Sequence, residues 1–235
     1  MHGALPARRA PAGAPVQKSP LSLDTELSLR PVTLRAPRAR AVFRIQAAVC
    51  RAFREFLQGE GSTEIHTPKL GRARAEGGSS QFRLDYFGRK AVLAQSPQLY
   101  KQAMVGVFER VYEIGPVFRA EKHATQRHLN EYTSLDLEMG FLHSFTDLMA
   151  LEQGFLRRLV ALLRQEYAGE LALLGAELPD AEHIPAVRFD EAKRLAAEAY
   201  GYAIREPYDL EPEEEQHIGR YAKEVWGSDF VFVTH

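Results

Sequence analysis

One cysteine, Cys50, in 235 residues leaves no partner for an internal disulfide and no thiolate set for a zinc site. Cys50 falls within an apolar helical run, the setting of a buried thiol rather than a nucleophile. No apolar run reaches the length that crosses a bilayer, and the start of the chain, with Arg8, Arg9, Pro11 and Pro15, lacks the apolar core of a secretory signal. Net charge is also missing. Thirty basic residues face 31 acidic ones, giving −1, so any contact with a polyanion must come from a local patch rather than a whole-chain field. Acids are absent up to Asp24, which suits an organellar leader or a plain tail. The Ala, Pro and Gly content of residues 1–20 predicts an unstructured tail there. With 45% hydrophobic residues the remainder can bury a core, and one domain, with at most a small appendage, is expected in a reducing compartment.

What is present is ordered. Leu21 to Arg38 reads as an extended linker. From Ala39 to about Gly59 a helix is expected, with Val42, Ile45, Val49, Ala52 and Phe56 as its buried stripe and Gly59 and Gly61 as its stop. Thr63 to Thr67 reads as a short strand closed by Pro68, which cannot donate to a ladder and so belongs at a strand end or edge. Arg83–Phe87 and Ala91–Ala94 form a hairpin around Gly88. Phe145 to Tyr167 reads as a long helix striped by Leu148, Leu151, Phe155, Leu159 and Leu162. Asp190–Tyr200 and Glu213–Trp226 are two further helices, and Asp229–Thr234 a core strand. The acidic run Asp209 to Glu215 reads as a solvated helix start.

Three stretches carry chemistry. In Glu76-Gly77-Gly78, two glycines after a carboxylate permit a loop that lets backbone approach a ligand; a plain surface turn has the same composition. In Gln95-Ser96-Pro97-Gln98-Leu99-Tyr100-Lys101, Ser96 is placed to cap a helix whose first residue is Pro97. Gln98 and Lys101 then share a face. A lysine buried beside an amide needs an anion, whereas a lysine on an amphipathic surface needs none. The third stretch is Arg110 to Leu142. It alternates on both sides of a polar loop, with Glu113, Arg119 and Glu121 opposed to Ile114 and Phe118, and Ser134, Asp136 and Glu138 opposed to Leu135, Leu137 and Met139. Alternation alone suits any antiparallel hairpin with a solvated face. A strand-borne Arg119 beside loop cations Lys122, His123, Arg127 and His128 can also clamp a folded-back triphosphate.

Phe118-Arg119-Ala120-Glu121, then Arg127-His128-Leu129-Asn130-Glu131 and Leu135-Asp136-Leu137-Glu138-Met139, closely resembles motif 2 of the class II aminoacyl-tRNA synthetases, in the aspartyl form of archaeal and eukaryotic type. The helix, glycine stop and strand ending at Pro68 resemble motif 1, and Gln95 to Lys101 matches the aspartyl family. The resemblance implies an α+β fold, an antiparallel sheet flanked by helices, here incomplete. It implies a cytoplasmic ligase that uses ATP and Mg2+, takes aspartate and tRNA, and works as a homodimer through the motif 1 surface at Pro68. By position it gives Glu76 the substrate amino group, and Lys101, supported by Gln98, the side-chain carboxylate. Arg119 would touch the substrate carboxylate and the α-phosphate, while Glu121 meets the adenine side and Arg127, His128 and Leu129 hold the nucleotide. A metal-ligand role for His128 finds no completing set of donors.

About forty residues precede the motif 1 helix, too few for the family's anticodon-binding barrel, and no motif 3 follows His235. Residues 21–235 are therefore expected to be part of a catalytic domain, with magnesium ligands expected beyond it. Three readings stay open: a piece of an aspartate–tRNA ligase, a relative that makes asparagine through an aspartyl-adenylate, and a non-catalytic paralogue that dimerises with a partner.

Overall fold

A computed structural model of the protein describes residues 21–72, 81–121 and 129–235. The expected tail over 1–20, and Glu76, Lys122, His123, Arg127 and His128, lie outside these residues. Helices and strands alternate in an α+β order, and among the described residues no helix is long and apolar enough to cross a membrane.

The stretch read as an extended linker is helical: α1 (Leu23–Ser28) and α2 (Arg30–Thr33) lead into α3 (Pro37–Gly59). The Ser22 hydroxyl accepts from Thr25 N at 3.3 Å, acids occupy the first turn of α1, and a proline stands in the first turn of α2. These are start signals, and they outweigh proline's reputation as a breaker. Helix α3 ends at the expected glycine, with Ser62 N bonded to Leu57 O at 2.9 Å and Gly61 at φ 78°. Its buried face is Ala41, Ala48, Ala52, Phe53 and Leu57; of the expected stripe Ala52 is buried, Ile45, Val49 and Phe56 are half-buried, and Val42 is 51% exposed. Alanines define that face, and a pattern weighted to large side chains passes over them.

The chain forms two compact units. One holds the residues up to Val49 and Leu148–His235; the other is Cys50–Asp147. In the first unit, α5 (Phe145–Glu166) buries Val160, Leu162 and Leu163, while Leu148, placed in the expected stripe, is exposed. Helix α6 (Ala168–Leu174) follows, closed by Gly175 at φ 63°. Beyond it, β7 (Ala186–Arg188), α7 (Phe189–Tyr200), α8 (Pro212–Val225) and β8 (Phe232–Thr234) complete the unit. Strands β7 and β8 pair in parallel, and Val187, Ala192, Ala196 and Ile218 form the core that the two helices share with them.

The acidic run before α8 is not simply solvated. Glu211 caps the helix in a reciprocal box with Glu214, and Glu214 is 3% exposed. Its carboxylate meets Lys193 Nζ of α7 at 2.7 Å. Lys193 is itself 2% exposed and also donates to the Glu206 and Asp209 carbonyls. Three acceptors for three ammonium hydrogens make this burial tolerable.

In the second unit, β5 (Arg110–Phe118) and β6 (Glu131–Met139) form the long antiparallel hairpin, with Glu113 opposite Asp136 and Gly115 opposite Ser134. Strand β1 (Thr63–Glu64) joins β5 in parallel. A smaller antiparallel sheet runs β2-β4-β3, from β2 (Leu70–Gly71), β3 (Arg83–Tyr86) and β4 (Arg89–Leu93). Helix α4 (Gln98–Phe108) links the two sheets. Arg54 of α3 reaches Glu64 with two hydrogen bonds, at 2.9 and 3.0 Å, and the Tyr112 hydroxyl adds a third at 3.1 Å. The ring of Phe53 stands edge-on to that of Tyr112 at 5.8 Å. The Arg54 bonds hold the Glu64 carboxyl below its ordinary range, while burial, then the Glu64 charge, raises the Tyr112 phenol.

Two outcomes follow from this packing. Replacing Lys193 by Met leaves Glu214 buried without its cation and should cost about 3 kcal/mol in urea unfolding, with Lys193→Met/Glu214→Leu recovering much of it. Because its folded pKa is depressed, the Glu64 carboxylate stabilises fully above its ordinary value and loses that contribution as pH falls through the lowered one. Glu64→Gln should therefore weaken the fold at neutral pH and flatten its acid limb, read as Tm between pH 3 and 7.

Candidate active site

The face of the β5–β6 hairpin that carries Glu113, Arg119, Ser134, Asp136 and Glu138 is not a solvated one. Glu113 is 4% exposed, and the Asp136 side chain 16%. Glu113 accepts from Thr67 N at 2.9 Å and from the Thr67 hydroxyl at 2.7 Å, and pairs with Lys69 Nζ at 2.9 Å. Lys69 also donates to the Thr67 hydroxyl at 3.1 Å. Gly115 makes room for this: a Cβ there would stand 3.4 Å from both Lys69 Nζ and Glu113 Oε1. Pro68 is thus an exposed residue held between two anchored neighbours.

Beyond Lys69 the backbone is stitched in sequence. Ala94 N donates to Lys69 O at 2.9 Å, Phe118 N to Ala94 O at 2.9 Å, and Arg119 N to Asn130 O at 3.0 Å. Arg119 therefore sits one residue past the end of β5, still inside the hairpin. Its guanidinium carbon lies 6.0 Å from the centre of the Tyr132 ring, and its Nε is buried without a hydrogen-bond partner among the described residues. The Glu121 amide donates to Arg119 O at 2.8 Å and to Asn130 Oδ1 at 3.1 Å, which fixes this end of the loop beside Leu129, 55% exposed.

Ala94 leads into Gln95 and Ser96, both buried. Gln81 Nε2 donates to Gln95 Oε1 at 3.1 Å. Ser96 does not cap α4. Pro97 takes the N-cap position, with its carbonyl accepting from Lys101 N at 2.9 Å, because the fixed proline φ already starts the turn one residue later than expected. The Ser96 hydroxyl is consequently buried with no partner among the described residues. An orphaned hydroxyl and an orphaned guanidinium nitrogen are costly in a resting fold and suit a polar, anionic ligand.

Gln98 is half-buried, and the Lys101 side chain, one turn on, is 12% exposed. The anion that a buried lysine requires comes from β6. Lys101 Nζ stands 2.9 Å from Asp136 Oδ1, 3.4 Å from Glu138 Oε2 and 3.3 Å from the Leu137 carbonyl. The other Asp136 oxygen accepts from the Ser134 hydroxyl at 2.5 Å. A cation and a carboxylate thus stand in contact, both largely shielded from water. Asp136, Glu138 and the Glu113–Lys69–Thr67 cluster were assigned no role from sequence. Their signal was the alternation that put Glu113, Asp136 and Glu138 on one face. Among the described residues no three His, Cys, Asp or Glu stand together as a metal site.

Glu113→Gln removes one of the two carboxylate oxygens and leaves the partly buried Lys69 unpaired. The expected loss is about 3 kcal/mol of stability, with protease cleavage of the Thr67–Lys69 segment appearing first.

Residues 22–235 match the family tRNA synthetases class II (D, K and N). The chain is 51% identical to an aspartate–tRNA(Asp/Asn) ligase of Thermus thermophilus over 95% of its own length and 53% of the relative's. It is 44% identical to the enzyme of that name from Aeropyrum pernix, over 91% of this chain and 49% of the relative. Among solved structures, asparaginyl-tRNA synthetase from Pyrococcus horikoshii complexed with asparaginyl-adenylate superposes with a TM-score of 0.79 at 29% identity, covering 91% of this chain and 50% of that one. The chain spans about half the length of the curated relatives it matches. With nearly all of its residues inside the family match, and with two aspartate ligases as relatives, the chain belongs to the class II aminoacyl-tRNA synthetases of the D, K and N group.

Proposed function

We propose that this protein is the motif 1 and motif 2 part of an aspartate–tRNA ligase, activating aspartate with ATP and passing it to tRNA. The observation that carries the choice of amino acid is the Lys101–Asp136 contact at 2.9 Å. Aspartate brings a side-chain carboxylate for Lys101 and an α-ammonium for Asp136, so each charge exchanges its partner for one of the same sign. Asparagine offers Lys101 no charge, and the 51% identical relative bears the aspartate name. In this reading Gln98 supports Lys101, and Glu76 is a second anchor for the amino group.

The substrate carboxylate attacks the α-phosphorus of ATP and pyrophosphate leaves, so charge grows on the α-phosphoryl oxygens. No protein nucleophile is required. Arg119 supplies the stabilising guanidinium, and its unpaired Nε supports that role: it needs no existing bond broken when an oxyanion arrives. Glu121 and Leu129 would border the adenine side, and Arg127 and His128 would grip the remaining phosphates. The described residues contain no ligand set for Mg2+, and no step is assigned to it. Pro68 would close the strand that meets a second copy. The relatives' printed names extend the acceptor to the tRNAs for both aspartate and asparagine.

Aspartate-dependent ATP–pyrophosphate exchange tests this. Arg119→Ala should lower kcat by about 10²-fold with a smaller rise in the KM for aspartate. Lys101→Gln should instead raise that KM by a similar factor and erase the preference over asparagine. Exchange driven equally by both amino acids in the unaltered protein would overturn the substrate assignment.

A further inference from the structure

The β3–β4 hairpin has features that the aspartate site does not use. Its two-residue loop is Phe87-Gly88, flanked by the Tyr86–Arg89 pair, and both loop residues have positive φ, 52° and 74°. Asn-Gly is the ordinary occupant of such a loop, because asparagine tolerates this conformation and a bulky ring does not. Here a phenylalanine takes the strained position and projects a ring that is 91% exposed. Tyr86, 47% exposed, stands edge-on to it at 4.8 Å. Strain retained in order to display an apolar ring to water points to a partner for that ring.

Beside this tip the same small sheet bears a groove of about 640 Å³ lined by Arg72, Gln81, Arg83, Asp85 and Lys90, floored by Ala91 and Val92. Three cations face one carboxylate. That carboxylate is already engaged: Asp85 accepts from Gly88 N at 2.9 Å and stands 3.6 Å from Lys90 Nζ, a loose pairing with both side chains mostly exposed. Arg72 and Arg83 have no ion-pair partner among the described residues. In a chain of net charge −1 this is the kind of local positive patch that a polyanion requires.

We propose that the β3–β4 hairpin is a contact surface for single-stranded RNA, holding its phosphates along Arg72, Arg83 and Lys90 and stacking an unpaired base on Phe87. Cations that track a backbone, next to an aromatic face, are the two elements of single-strand recognition. A duplex keeps its bases stacked inside and has none to offer the ring. A protein partner would suit the ring but would leave the three cations without use. The choice of RNA rests on the tRNA reading above; the charge and the ring would suit any single strand.

The test is fluorescence anisotropy of the protein with a labelled 12-nucleotide single-stranded RNA and with its blunt duplex, without ATP or aspartate. Its failure would leave aspartate activation untouched, and failure of activation would leave this surface intact. Preference for the single strand, weakened by salt, is expected. Phe87→Asn suits the loop backbone, so Tm should hold or rise while affinity falls about tenfold. Arg83→Glu with Lys90→Glu should lower affinity and flatten its salt dependence. Equal binding of duplex and single strand with Phe87→Asn indifferent would overturn the proposal. So would absence of RNA binding, with self-association on sedimentation that Phe87→Asn abolishes, since that would assign the tip to a second copy.

Discussion

A single buried carboxylate sets the geometry of the Cys50–Asp147 unit. Glu113 sits in the middle of β5 with almost no water contact, and it is satisfied by two bonds from Thr67 and an ion pair from Lys69. Burial in that position is tolerable only if the Thr67–Lys69 segment stays where it is. With Lys69 fixed, its carbonyl takes Ala94 N, the Ala94 carbonyl takes Phe118 N, and Arg119 follows directly. Ala94 also begins the run into α4 and so sets the point from which Lys101 extends. The two cations that define the candidate site are therefore referred, through a few backbone bonds, to one buried anion.

The long hairpin was legible because both strands alternate over nine residues, and the glycine stop of α3 because Gly59 and Gly61 follow an uninterrupted helical run. The family was legible in the residues around Arg119 and in Gln95 to Lys101, and nearly the whole chain matches it. What escaped was burial decided by tertiary partners. Lys193 reads as one more surface lysine on an amphipathic helix, and only the fold delivers Glu214 and two carbonyls to it. On α3, Ala41 and Ala48 were passed over because alanine carries little weight in a periodicity and much in close packing. The partner of Lys101 lies 35 positions away, on a strand whose polar face looked wet. Pro97 displaced the expected serine cap, and the price was an unbonded hydroxyl that sequence has no means of showing.

The proposed site would follow a common logic for binding a zwitterion. Lys101 is paired with Asp136, and more loosely with Glu138, in the resting fold, so it does not stand as a bare charge in a shielded place. An incoming molecule of matching charges replaces contacts of the same kind, and the net cost of desolvation is shared between protein and ligand. Arg119 is handled differently. Its backbone is tied to Asn130 and its guanidinium lies near Tyr132, yet its buried Nε has no hydrogen-bond partner among the described residues. A preorganised donor of that sort favours charge that develops late in a reaction over charge already present.

The parallel pairing of β1 with β5 also bears on how the chain reaches this state. Thr63 and Val111 are separated by about fifty residues, whereas β3–β4 and β5–β6 are hairpins closed by neighbours. Closing the longer loop costs more entropy and yields only two paired residues, so both hairpins are expected to form before β1 docks. Until it does, Glu113, the one acid of β5, lacks its two Thr67 bonds. Formation of the Thr67 bonds is then expected to be the step that buries the Glu113 charge.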